Sequence, residues 1–248
     1  MQIEIENFKI PIIEHGRSWL AVDKPVNLSV HNEPGQDLCS LLNSYFNEDG
    51  NLSGRIGFDS SFGFHAVHRL DRKTSGLILM ACEKSALSFL GIQFQERTVR
   101  KSYRAILHGR LAGAAGSDDE WGVWDWPLSR NASGRKNPQG SEKRFPCMTR
   151  YKILDHSSHY TLVEAEPLTG RRHQIRRHAC LAKHPVIGDK RYGTSRSVKY
   201  LKQRARFHRL GLHAFALELV LPNEISPRRI TTGILPSEMQ TLFDKDAE

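Results

Sequence analysis

The stretch HAVHRLDRKTSGLILMA, residues 65–81, decides the reading of this chain. Its second half, LILMA (77–81), is an unbroken apolar run of strand length, bounded upstream by the turn residues Thr74-Ser75-Gly76. Its first half sets His65, His68, Arg69, Arg72 and Lys73 around one acid, Asp71. Charges gathered at the mouth of a buried strand are costly unless they are paired or used. Three readings compete. His65, His68 and Asp71 recur every third residue, which would place metal ligands on one face only of a helix, and the Thr-Ser-Gly turn follows at once. Asp71 could instead pair with Arg69 or Arg72 and stitch a turn, an exposed contact worth only about 0–1 kcal/mol. Or Asp71 is a nucleophile. A reactive carboxylate must stay ionised; burial opposes that and a neighbouring arginine restores it. An arginine on a rigid helix suits the role, and HQIRRH offers Arg176 and Arg177.

Outward from this stretch, residues 84–96 place Leu87, Leu90 and Phe94 at helical spacing, and 100–108 alternate as a strand. Upstream, IIEHGRSWLAVD (12–23) predicts two short strands about Gly16, LSVHN (28–32) an extended segment, and LCSLLNSYF (38–46) a helix closing in a polar loop. Downstream, 149–167 predicts a hairpin. Thr169 is positioned to cap a helix that begins near Gly170 and stops before His184-Pro185. GLHAFALELVLP (211–222) reads as a strand with His213, Phe215, Leu217, Leu219 and Leu221 on one face. Residues 113–146 are rich in Gly, Ser, Asp, Asn and Pro, without a period, and predict a long loop or small insertion. Hairpin-length links between many strands favour an α+β fold, a mixed and largely antiparallel sheet with flanking helices and a central catalytic cleft, in a single catalytic domain over 1–248.

Charge narrows the partner. The chain carries a net +9, yet residues 171–210 hold thirteen Lys or Arg against one acid, Asp189, so that segment is +12 and the rest sums to −3. So local an excess is the footprint of a polyanion. No apolar run approaches the ~20 residues that span a bilayer. The N-terminus lacks the basic start and apolar core of a secretory signal. Cys39, Cys82, Cys147 and Cys180 are far apart, with no Cys-x-x-Cys pair, as reduced thiols of a cytoplasmic protein would be.

Six blocks, in order, resemble the RluA-type pseudouridine synthases, which convert particular uridines in RNA to pseudouridine. They are LAVDKPVNLSVH (20–31), HRLDRKTSGLILMA (68–81), RKSYRAIL (100–107), PLTGRRHQIRRH (167–178), HPVIGDKRYG (184–193) and LHA (212–214). The resemblance implies that Asp71 is the catalytic aspartate, Tyr103 the active-site tyrosine that stacks on uracil, and Arg176 the arginine that pairs with the aspartate. It also implies a member without the family's small N-terminal RNA-binding domain. The block before Thr149, SEKRFPCMT (141–149), departs from the family pattern Gly-Lys-x-Ala-x-Thr.

The implied reaction is an isomerisation, so it calls for no cofactor and no metal, and the partner is RNA, ribosomal and/or transfer, met by a monomer with no membrane contact. The base must be turned out of its stack. His68 and Arg69, beside Asp71, are candidates to fill the gap, while Arg171, Arg172, His173, Arg177, Lys190 and Arg191 would follow the backbone. Two other classes compete with this one: a metal-dependent nuclease built on His65, His68 and Asp71, and an RNA-binding module without activity.

Overall fold

The computed structural model describes residues 2–5, 8–112, 120–131 and 133–247. The chain divides into two compact units, Met1–Arg100 with Ala214–Gly233, and Lys101–His213 with Ile234–Glu248. The α+β expectation holds: among the described residues there are six helices, and every strand pairing whose register is defined is antiparallel.

In the first unit the strands run in the order β1 (Gln2–Ile5), β2 (Phe8–Gly16), β3 (Trp19–Lys24), β5 (Ser75–Ala81) and β12 (Leu212–Leu219, from Ala214 onward in this unit), with β4 (His65–Ala66) beside β5 and β13 (Arg228–Thr231) beside β12. β5 is buried at all seven positions, which is why Leu77–Ala81 are continuously apolar rather than alternating. β12 is likewise buried on both sides: Leu212, Ala214 and Ala216 are as enclosed as the single face expected from alternation. Trp19, Ala21, Leu77, Leu79, Leu90, Leu217 and Ile230 form the core of this unit, and α3 (Lys84–Glu96) contributes Leu90 to it and ends where Arg97 turns left-handed at φ 62°. α1 (Leu38–Glu48) starts at Asp37, whose carboxylate accepts from Ser40 N at 2.9 Å, a cap worth about 1 kcal/mol. The polar loop expected after it contains a short helix, α2 (Gly50–Ile56), because Asp49 also caps Asn51 N and Leu52 N. LSVHN (28–32) forms no strand. It is held instead by Lys24 and by the start of α1, where Leu38 N donates to Ser29 O and Cys39 N to Val30 O.

In the second unit the order is β6 (Arg100–His108), β11 (Tyr160–Pro167), β10 (Thr149–His156) and β7 (Gly122–Trp124). β6 and β11 register Tyr103 opposite Ala165 and Arg104 opposite Glu164; Arg104 and Glu164 form a 2.6 Å ion pair that Ser102 joins at 2.5 Å. Leu107, Ile153, Val163, Val186 and Leu210 pack with Ile175 and Ala179 of α4 (Gln174–Leu181). A second cluster lies under α5 (Ser195–Gln203) and α6 (Ser237–Ala247), which the sequence reading did not anticipate. The expected loop 113–146 holds β7 and a two-stranded sheet of β8 (Leu128–Ser129) and β9 (Arg144–Phe145); its residues 113–119 and 132 lie outside the described residues. All four cysteines are free thiols; burial pushes those of Cys39 and Cys82 up to about 11.

His213 is wholly buried. Burial, and after it the charge of Arg209, push its pKa down to about 3. The folded state therefore keeps a neutral imidazole where the unfolded chain binds a proton below its ordinary value near 6.5. Stability is complete above that pH and lost as pH falls toward 3. Between pH 6.5 and 5 the expected loss is about 2 kcal/mol. Urea midpoints across that range measure it, and a midpoint that does not fall as pH is lowered would contradict the assignment.

Candidate active site

Asp71 sits half-buried at the start of a tight turn, with Thr74 N donating to its carbonyl at 2.9 Å, just before β5 begins. The turn is pinned from the Asp-Lys-Pro block. Lys24, fully buried, donates from Nζ to Pro25 O at 2.8 Å, Leu28 O at 2.9 Å and Arg72 O at 3.4 Å. Asn27 N donates to Arg72 O at 2.8 Å, Arg72 Nε returns to Asn27 O at 2.8 Å, and Lys73 Nζ reaches Asn27 Oδ1 at 2.7 Å. Arg72 is therefore taken by Asn27 and by Glu33 at 2.9 Å. The two basic neighbours that follow Asp71 thus brace the loop. Lys24 and Asn27 were not read as functional from sequence; the signal available was that both lie in the Asp-Lys-Pro block, LAVDKPVNLSVH.

His68 accepts a hydrogen bond from Leu79 N at 3.1 Å and stacks on Phe94, ring centroids 4.7 Å apart. Arg69, next to it, is exposed. His65 is turned onto Phe62, with Nε2 3.0 Å from Phe62 O. Among the described residues no three His, Cys, Asp or Glu side chains are arranged to hold a metal ion.

In the second unit the Thr-Gly-Arg-x-His-Gln-Ile-Arg block is a loop followed by a helix. α4 begins at Gln174, not near Gly170, because Thr169 spends its hydroxyl on the Gln174 carboxamide oxygen at 2.7 Å, which also accepts from Arg171 N at 3.0 Å. His173 enters the helix left-handed at φ 54°, with Nδ1 3.0 Å from the Tyr192 hydroxyl. Gln174 Nε2 donates to Met148 O and Thr149 Oγ1, and the Thr149 hydroxyl lies 3.0 Å from His178 Nδ1. His178 Nε2 lies 3.0 Å from Trp126 O, an acceptor only, so Nε2 carries the proton and Nδ1 accepts. Thr149 is fully buried in this network, which makes it a strut beneath the loop.

Arg176 and Arg177, adjacent in sequence, do different work. Arg176 is buried and grips Asp189 with two parallel bonds, Nε to Oδ2 at 2.7 Å and Nη2 to Oδ1 at 2.9 Å. Asp189 Oδ1 also receives Arg191 N at 2.9 Å and Tyr192 N at 3.0 Å, and the Arg176 guanidinium lies 5.2 Å from the Tyr192 ring centre. Asp189 orients Arg176, and the signal was present: it is the one acid among thirteen cations. Arg177 corrects the sequence reading. Counted there among RNA contacts, it is wholly buried, and its guanidinium donates to Pro138 O, Ser129 O, Ser129 Oγ, Arg172 O and Gln139 O. Arg172, Lys190 and Arg191 are exposed, with Arg191 Nε on Ser133 O at 2.9 Å. Arg171 lies half-buried over Phe145, 5.0 Å from its ring centre. Tyr103 is partly exposed and packs on the cluster that contains Ile175, the residue before Arg176.

A sequence profile described as RNA pseudouridylate synthase matches residues 18–180. The chain is 33% identical over 240 residues to the tRNA pseudouridine synthase C of Salmonella typhi, covering 90% of this chain and 85% of that one. It is 42% identical over 159 residues to the ribosomal large subunit pseudouridine synthase C of Vibrio cholerae serotype O1, spanning 63% of this chain and 47% of that one. Human RNA pseudouridylate synthase domain containing 1 superposes with a TM-score of 0.71 at 26% identity, over 94% of this chain and 87% of that one. The pinned Asp-Arg-Lys turn, the block that carries Arg176 and these matches over most of the length lead to one assignment: the chain belongs to the RNA pseudouridylate synthase family, isomerases that turn uridine in RNA into pseudouridine.

Proposed function

We propose that the protein isomerises uridines of transfer or ribosomal RNA, with Asp71 as the catalytic carboxylate, Tyr103 as the uracil platform and Arg176 as its charged partner. The observation that carries the reading is the Asp71 turn, fixed to the Asp-Lys-Pro block through Lys24 and Asn27. A nucleophile held on rigid backbone loses little freedom on reaching its target. The family profile runs through both compact units, which supports 1–248 acting as one catalytic domain.

The reaction breaks the bond between uracil N1 and ribose C1′ and forms one from C5 to the same carbon; N1 gains a proton and C5 loses one, so the sum is unchanged. Asp71 begins it, by attack on C1′, by taking a ribose proton or by addition to the uracil ring. Tyr103 supplies the flat face on which the detached uracil turns and receives the proton from C5. Arg69, exposed two residues before Asp71, fills the space left by the everted base, a planar cation stacking on its former neighbours.

Pseudouridine mapping of total RNA from cells with and without the gene tests the function. One or more sites in transfer or large-subunit ribosomal RNA are expected to vanish without the gene and to return when the wild-type chain is supplied. An unchanged map would overturn the reading.

A further inference from the structure

At the end of α4 the second unit forms an open cavity of about 410 Å³, lined by His108, Arg135, Cys180, Lys183, Tyr192 and Ser197 among others. Asp71, Tyr103 and Arg176 are not among its lining residues. Tyr192, which contributes to its lining, is also the residue whose ring lies 5.2 Å from the Arg176 guanidinium. Among the described residues no acid lines the cavity. Arg135 and Lys183 are both exposed, and neither side chain makes an ion pair or hydrogen bond among the described residues. Lys183 adopts a left-handed backbone, φ 67°, at the end of α4, a conformation that favours glycine and costs a lysine of order 1 kcal/mol. The hydroxyl of Ser197 lies 2.6 Å from His108 Nε2, and burial lowers the His108 pKa, so the ring there is neutral.

Two unneutralised cations at the mouth and a neutral hydroxyl–imidazole pair inside match a phosphate joined to a sugar. We propose that this cavity binds one ribose-phosphate unit of the RNA substrate, outside the nucleotide being isomerised. The inference rests on the reading of RNA as substrate. Arg135 and Lys183 hold the phosphate, and Ser197 with His108 meets the ribose 2′-hydroxyl, the group that marks RNA against DNA. The volume exceeds what a bare phosphate needs and suits a nucleotide fragment. The surface continues along α5 with exposed Arg196, Lys199 and Tyr200, the last 58% exposed, so the strand beyond meets further charge and an aromatic face.

The double variant R135Q/K183Q tests the charges. Its RNA affinity is expected to fall roughly tenfold at low salt, and the slope of log affinity against log salt to flatten by roughly 0.7–0.9, the value of one lost phosphate contact. KM for the RNA rises in step while kcat at saturation is kept. R55Q/K84Q, which removes two charges from the other unit, is expected to leave the slope alone. Single 2′-deoxy substitutions along the RNA are expected to reveal one position that weakens binding to wild type but not to S197A. Inorganic phosphate separates the sources. Tight binding of phosphate alone, lost in R135Q/K183Q while the RNA slope is unchanged, would assign the cavity to free phosphate and overturn the proposal, as would an unchanged slope with no phosphate binding. The salt slope needs no product, so a flattened slope with no pseudouridine formed would sink the proposed function and leave this subsite standing.

Discussion

Asp71→Asn is expected to bind RNA within about threefold of wild type and to form no measurable pseudouridine, a loss of at least four orders of magnitude, roughly 5 kcal/mol of barrier. The substitution keeps the size and planarity of the side chain. The turn survives it because its anchors are elsewhere: Thr74 N bonds the Asp71 carbonyl, and Lys24, Asn27 and Glu33 hold Arg72 and Lys73. What disappears is the anionic oxygen that attacks or takes the proton, and an amide cannot replace it in either role. Thermal melting of the variant, RNA binding by filter retention and pseudouridine quantification by mass spectrometry separate the effects. A folded, RNA-binding variant that still made pseudouridine would remove Asp71 from the chemistry.

Gly76→Ala is the second large effect, and it falls on folding. Gly76 has φ 116°, and a Cβ placed there would stand 2.2 Å from Ala214 O and 2.5 Å from Ala214 N. Those atoms are backbone of β12 inside the core of the first unit, so no side chain can swing aside to relieve the clash. The strand must shift or the pairing must open. The expected cost exceeds about 3 kcal/mol, above the usual range for one substitution. Gly91→Ala, in α3 with open space around its Cβ, is the control and is expected to be neutral or slightly stabilising. Soluble yield and urea midpoints measure both. A Gly76→Ala chain as stable as wild type would mean that β5 and β12 do not meet as closely as described.

Legibility followed the strength of local signals. β5, α3 and β6 were readable because a five-residue apolar run bounded by a turn, a 3.6-residue period and a two-residue alternation each stood out from their surroundings. α2 was not, since its seven residues carry two glycines and owe their helix to a cap from Asp49 that reads equally well as a loop residue. The start of α4 was misplaced for a related reason. Thr169 has the chemistry of a cap, but its hydroxyl goes to the Gln174 side chain, a partner defined only once the loop has folded. At the site, Asp71 stood out by its neighbours, and Asp189 could have been found by its isolation among cations. The fate of Arg177 could not. Two adjacent helical arginines point about 100° apart, and nothing in HQIRRH says which turns inward. Counting charge assigned both to the outside or to chemistry, whereas Arg177 spends its guanidinium on four carbonyls and a hydroxyl.

That buried guanidinium sets a rule for recombining this enzyme with its relatives. Segment 128–140 and helix α4 are one inheritance: a chimera that imports the segment without its own arginine, or the helix without its own carbonyls, leaves a cation or a ring of acceptors stranded in the interior. Crossover points belong outside both, and a library built that way keeps its parents' folding while exchanging the strands around them.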